Sequence, residues 1–88
     1  MPRRVRRPAG RDSQLATSLA ILRDLIAEPW LVRELAAHHG VSWRQLYRDL
    51  GAFARAGVEI VVSREGRKVY RRASADSVVR ALGLGRRR

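Results

Sequence analysis

Leu15, Leu19, Leu22 and Ile26 recur at spacings of four, three and four, with Leu25 beside them. Apolar residues at that spacing share one face of a 3.6-residue period, so the pattern predicts a first helix. Arg23, Asp24 and Glu28 fall on its other sides. Pro29 ends the run by steering Glu28 out of helical backbone. Asp12 or Ser13 is placed to cap the start by accepting from free backbone N–H groups. Trp30 and Leu31 read as a short extended link. A second helix is predicted from Val32 to His39, with Val32, Leu35, Ala36 and His39 on one side and Gly40 closing it. Only Val41 and Ser42 precede a third helix, Trp43 to about Ala56, capped by Ser42 and ended by Gly57. Leu46, Leu50 and Phe53 form its apolar face.

The period then changes from 3.6 to 2. Val58, Ile60 and Val62 alternate with Glu59, Val61 and Ser63, which is the pattern of a half-buried strand. Arg64 to Arg67 reads as a hairpin loop and Lys68 to Arg72 as the return strand. Val69 and Arg71 point one way, Tyr70 and Arg72 the other. Ser74 suits the cap of a short last helix, Ala75 to Leu82, whose apolar residues are Val78, Val79 and Leu82. The shared faces predict a core of Leu19, Leu22, Ile26, Leu35, Val41, Leu46, Leu50, Phe53 and Ile60.

Composition adds a partner to this picture. The chain has 88 residues, enough for one domain with one modest core, and 45% of them are apolar. Its net charge is +11, and every basic residue except Lys68 is arginine. A compact domain with that excess repels itself, so a polyanion is the expected partner, nucleic acid before an anionic membrane. Arginine suits bidentate contact with phosphate and guanine, although a GC-rich genome enriches it as well. With no cysteine, disulfides, Cys-ligated zinc and thiol catalysis are excluded. The stretch Leu15–Ile26 is too short and too charged for a membrane span, and no signal peptide is visible. A cytoplasmic protein that makes no membrane contact is expected.

The order of elements is helix, helix, tight glycine-containing turn, helix, two-stranded hairpin. The expected fold is mainly α with a small β-hairpin, a winged helix-turn-helix of three core helices plus a two-stranded wing and a short C-terminal helix. Its organisation is a basic flexible arm over 1–11, the winged domain over 12–73, and a short helix with a basic tail over 74–88. In such folds the helix after the turn enters the major groove, which is wide enough for one α-helix.

The third helix has the two faces this requires. Arg44, Arg48 and Arg55 lie opposite Leu46, Leu50 and Phe53, with the small Gly51 and Ala52 beside them. Arg44 and Arg48 suit guanine O6 and N7, and Gln45 suits adenine N6 and N7. Ser42 and the free N–H groups of the first turn suit a phosphate. Tyr47 can pack on the domain or reach a phosphate. Trp43, like Trp30, reads more as a packing residue than as a base-stacking platform. The hairpin offers Arg64, Arg67, Lys68, Arg71 and Arg72 against one acid, Glu65. It reads as a wing on the backbone or in the minor groove. The alternative is an edge hairpin whose charge discourages aggregation.

Leu19 to Tyr70 resembles the winged helix-turn-helix of the DeoR-type and WYL-type bacterial regulators. The matching strings are Leu19 to Ile26, Arg33-Glu34-Leu35-Ala36, Gly40-Val41-Ser42, Leu46-Tyr47-Arg48-Asp49-Leu50 and Ala56-Gly57-Val58-Glu59-Ile60. The resemblance implies a DNA-reading third helix that uses Ser42, Arg44, Gln45, Tyr47 and Arg48, and a wing over 58–72. The chain departs from the pattern in three ways. Leu31 and Val32 stand where such regulators often open the second helix with Thr or Ser. The wing is poorer in glycine. The C-terminal effector-binding or WYL domain of those regulators does not follow, so DNA binding without a small-molecule effector is expected.

His38 and His39 are adjacent and lack an i, i+4 partner, so an exposed His38 and a core-flanking His39 are expected, with no metal. Asp49 and Glu34 are expected to pair with nearby arginines. No phosphate loop, activated nucleophile or acid pair is visible, so neither an enzyme nor a cofactor is expected. The function expected is sequence-specific binding of double-stranded DNA by a stand-alone transcription regulator, such as a bacterial or phage repressor, with a possible homodimer. A protein-assembly module and a sequence-tolerant architectural or RNA-binding protein are the alternatives.

Overall fold

A computed structural model of the chain describes residues 11–83. The basic arm expected over 1–11 and the arginines of the 86–88 tail lie outside the described residues, except that Arg11 already belongs to the first helix.

The elements run α1 Arg11–Ala27, β1 Trp30–Leu31, α2 Val32–His39, α3 Trp43–Arg55, β2 Ile60–Glu65, β3 Lys68–Ala73 and α4 Ala75–Leu82. The strands form one antiparallel sheet in the order β1-β3-β2. The chain therefore has the winged helix-turn-helix fold expected from its pattern, with one addition. The Trp30–Leu31 link is a third strand, pairing Trp30 with Arg71 and Leu31 with Tyr70. It anchors the base of the wing to the start of α2.

Local chemistry explains the boundaries. Asp12 and Ser13 lie inside α1, so neither is the cap expected of it. Leu31 precedes α2 without any side-chain cap bond, as its apolar side chain dictates. Gly40 takes φ 67°, a conformation that costs a glycine little. There its N–H reaches Ala37 O at 3.1 Å and the Val41 N–H reaches Ala36 O at 3.0 Å. This is a Schellman closure, and it turns the chain from α2 towards α3 while feeding Val41 into the apolar interior. The same bond pattern closes α3, where the Val58 N–H reaches Phe53 O at 2.9 Å and Val58 is buried. Ser42 caps α3, its hydroxyl accepting from the Gln45 N–H at 3.0 Å. Glu65 pairs with Lys68 across the hairpin, leaving Gly66 and Arg67 as its turn. Gly66 has φ 63° and Arg67 does not have a positive φ, which is the arrangement of a type II′ turn.

The core is built from Ile21 and Leu25 of α1, Val32, Leu35 and Ala36 of α2, Leu46 and Leu50 of α3, with Val58, Ala73 and Val78. Leu22, Ile26, Val41, Phe53 and Ile60 pack partly buried around it. Leu19 is the exception among the expected core residues, at 55% exposed, and Leu15 is 59% exposed. The first helix carries apolar residues on nearly every side, so two faces fit a helical period. The one that docks, Ile21 and Leu25, is turned roughly a third of a turn from the Leu15–Leu19 line. Val62 also departs from expectation. It lies on the inner face of the wing, opposite Arg71, and is 52% exposed.

Candidate nucleic-acid interface

The outer face of α3 is made by geometry that the core dictates. Leu46 and Leu50 are buried and hold the helix down, so Trp43, Arg44, Tyr47 and Arg48 face solvent. Trp43 and Tyr47, one helical turn apart, meet edge to face with ring centroids 6.0 Å apart. The Arg44 guanidinium lies over the Trp43 ring at 5.4 Å. These contacts hold cationic and aromatic groups in one layer without burying them. Trp43 is 45% exposed, so it is not the packing residue the sequence suggests.

The wing joins the same surface through one contact. Arg71 of β3 lies over the Tyr47 ring at 5.4 Å. Directly paired residues share a sheet face, so Ile60, Val62 and Arg64 of β2 lie on the same side as Ala73, Arg71 and Val69 of β3. Ala73 is fully buried, which identifies this face as the one turned to the helices. It grades from apolar at its base to basic towards its tip. Arg64, Arg67 and Lys68 are exposed at the far end of the hairpin, while Arg71 and Arg72 are half-buried.

Two expected site residues are engaged within the domain. Gln45 is half-buried, and its amide Nε2 donates to Asp49 Oδ1 at 3.1 Å. Its Oε1 accepts from Arg48 Nη1 at 3.3 Å. The chain Arg48–Gln45–Asp49 thus orients Arg48, and Gln45 must release Asp49 before it can read a base. Ser42 is occupied as the α3 cap. Asp49 itself is buried, with Gln45 as the partner of its carboxylate. Among the described residues neither Asp49 nor Glu34 forms the ion pair with arginine expected of it. The i, i+4 spacing from Gln45 brings an amide to Asp49 instead.

One basic residue escaped the sequence reading as a site residue. Arg33, at the start of α2, lines a shallow cleft with Val32, Trp43 and Tyr47. It extends the basic surface across the first turn of α3. Its signal was hidden because it lies ten positions before Trp43 in the chain, and only the α2–α3 turn brings them together.

The histidines behave as expected in exposure but not in partnership. His39 is mostly buried, with 11% of its side chain exposed, and His38 is 57% exposed. Both turn towards Asp24 of α1, which supplies the partner that spacing within α2 could not.

Neither a protein-family model nor a curated protein matches the chain. Solved structures do resemble it. NolR from Sinorhizobium fredii is similar with a TM-score of 0.59 and 25% identity, over 83% of this chain and 78% of that one. A domain of Mb0332 from Mycobacterium bovis is similar with a TM-score of 0.60 and 27% identity, over 83% of this chain and 68% of that one. The latter is described as a homodimeric winged helix-turn-helix DNA-binding domain of a possible ArsR-family transcriptional regulator. The likeness supports the winged helix-turn-helix reading. It does not reach the DeoR-type or WYL-type placement, which rests on the sequence strings alone.

Proposed function

We propose that this chain is a sequence-specific regulator that binds double-stranded DNA with α3 in the major groove and the β2–β3 wing on the backbone or in the minor groove. The observation that carries the reading is the joined surface of Trp43, Arg44, Tyr47, Arg48 and Arg71, which is aromatic and cationic and contains no acid. Such a surface is complementary to a phosphate-lined groove. Arg44 and Arg48 are assigned to guanine edges. The N–H groups of the first turn of α3, together with Ser42, are assigned to a phosphate. Gln45 is assigned first to holding Arg48 and only second to adenine. Arg64, Arg67 and Lys68 steer and bind phosphates, as does Arg33. The domain organisation is the one read from the sequence, with the 1–11 arm and the 74–88 tail adding basic contacts. Action as a homodimer in the cytoplasm, without a small-molecule effector and without catalysis, completes the reading. The Mycobacterium bovis neighbour supports it as a DNA-binding domain that is homodimeric.

A protein-docking role for the same face draws support from the exposed Trp43–Tyr47 pair. It is weaker, because each ring already carries an arginine.

The test is affinity for a selected site and for random DNA across a salt series. Arg44→Ala and Arg48→Ala should each cost about 1–3 kcal/mol on the selected site and much less on random DNA. Arg67→Ala, Lys68→Ala and deletion of 1–11 should weaken both DNAs alike and flatten the salt dependence, because fewer counterions are released. Equal losses on both DNAs for the α3 variants would remove base reading and put the architectural or RNA-binding alternative first.

A further inference from the structure

We propose that Asp24, His38 and His39 form a binding site for a divalent transition-metal ion of the zinc(II) type, which ties α1 to the end of α2. The three side chains come from two helices, and their ligand-capable atoms all lie within 4.8 Å of one another. The two Nε2 atoms converge on a single carboxylate oxygen. His39 Nε2 is 2.7 Å from Asp24 Oδ2, and His38 Nε2 is 3.8 Å from it. Zinc bonds of about 2.0–2.2 Å at tetrahedral angles place neighbouring ligand atoms about 3.3 Å apart. The two separations from Asp24 Oδ2 bracket that figure. An ion entering between the groups replaces the 2.7 Å contact of His39 with Asp24, and asks only for small movements, which the more exposed His38 can supply.

The surroundings orient the ligands. Arg23 Nε lies 3.6 Å from Asp24 Oδ1, leaving Oδ2 to the histidines. The Trp30 indole N–H donates to the Asp24 carbonyl at 3.2 Å. The Trp30 ring also lies against His38, with centroids 5.3 Å apart, and His38 meets His39 edge-on at 4.9 Å. Fixed ligand orientation of this kind raises affinity in protein metal sites. Two imidazoles and one carboxylate suit zinc or another late first-row divalent ion rather than magnesium or calcium, which take mostly oxygen. The exposed side of His38 leaves the fourth position to water. Because His39 directly precedes the Gly40 turn, the ion fixes the end of α2 at the point where the chain turns into α3. Its role here is structural and independent of DNA reading.

The experiment uses the untagged full chain and cobalt(II) as a spectroscopic probe. Titration should give saturable visible absorption of a four-coordinate centre at one ion per chain, displaced by zinc(II). Zinc(II) at about a hundred times its Kd should raise Tm by about 10–20 °C, and magnesium should leave it unchanged. His38→Ala and Asp24→Asn should each weaken cobalt(II) binding at least tenfold. The exposed His38 can be removed without disturbing the core, so His38→Ala remains decisive even if Asp24→Asn unfolds. No saturable cobalt(II) absorption up to 100-fold excess, or unchanged binding by a folded His38→Ala chain, would overturn the site and leave an ion-pair cluster only.

Discussion

Leu46 and Leu19 are the same residue type on two helices, yet one is fully buried and the other more than half exposed. Leu46→Ala should therefore cost about 2–5 kcal/mol, since it removes buried methyl groups and leaves a cavity. Leu19→Ala should change the stability of the monomer by less than about 0.5 kcal/mol. Urea unfolding at low protein concentration checks both. The difference marks how far single residues can be read from the chain. The third helix was legible because Leu46 and Leu50 stand opposite Arg44 and Arg48, which leaves one way to dock it. The first was not, because Leu15, Leu19, Ile21 and Leu25 surround it and the helical period alone cannot choose between faces. The Asp24–His38–His39 cluster was illegible for another reason. Its members are 14 and 15 positions apart from Asp24 and meet only through the packing of α1 on α2. Gln45 was legible as a polar residue on the flank of α3, but its bond to Asp49 competes with the base contact that its type suggests.

At the scale of elements, the caps and turns were readable where a side chain or a glycine makes them. Ser42, Gly40, Gly66 and Ser74 act locally, and the sequence shows each in place. The β1 strand is two residues long, too short to display a period of 2, and exists only by pairing with β3. Ser77 shows a second kind of hidden join. It is fully buried, accepts from the Glu59 N–H at 2.7 Å and donates to the Ser74 carbonyl at 2.8 Å. One hydroxyl thereby clips the first turn of α4 to the segment entering the wing. Ser77→Ala should lower stability by about 1–3 kcal/mol, because the Glu59 N–H loses its partner. Thermal unfolding followed by circular dichroism measures this, with the Ser74→Ala loss of a cap, about 1 kcal/mol, as reference. The wing and α3 meet at Arg71 and Tyr47. A double-mutant cycle with Tyr47→Leu and Arg71→Ala should show a coupling of about 0.5–1 kcal/mol in DNA affinity. Additive losses would mean that the two residues contact DNA independently.

For the whole molecule, the apolar residues left outside the core are as informative as those within it. Leu15 is 59% exposed, Leu19 55%, Leu82 64% and Val79 40%, on a chain whose net charge is +11. Charge keeps such a chain soluble, but exposed leucines gain about 25 cal/mol for each Å² they remove from water. A second copy is the partner expected to cover them under the homodimer reading proposed above. Two surfaces compete for the role, the Leu15–Leu19 line of α1 and the Val79–Leu82 end of α4. A standard interface buries about 800 Å² on each partner, more than two side chains provide, so a dimer interface would extend well beyond whichever pair seeds it. Sedimentation equilibrium at physiological salt should find a dimer. The pair Leu15→Glu with Leu19→Glu, or the pair Val79→Glu with Leu82→Glu, should convert it to a monomer with unchanged circular dichroism. All four positions are exposed in the protomer, so neither pair should unfold it. The monomeric variant should lose affinity for a palindrome with half-sites about 10 base pairs apart, or a multiple of that, and keep its affinity for a single half-site. A wild-type chain that stays monomeric at tens of micromolar, and binds every selected site one to one, would rule the dimer out and leave the exposed leucines for another partner.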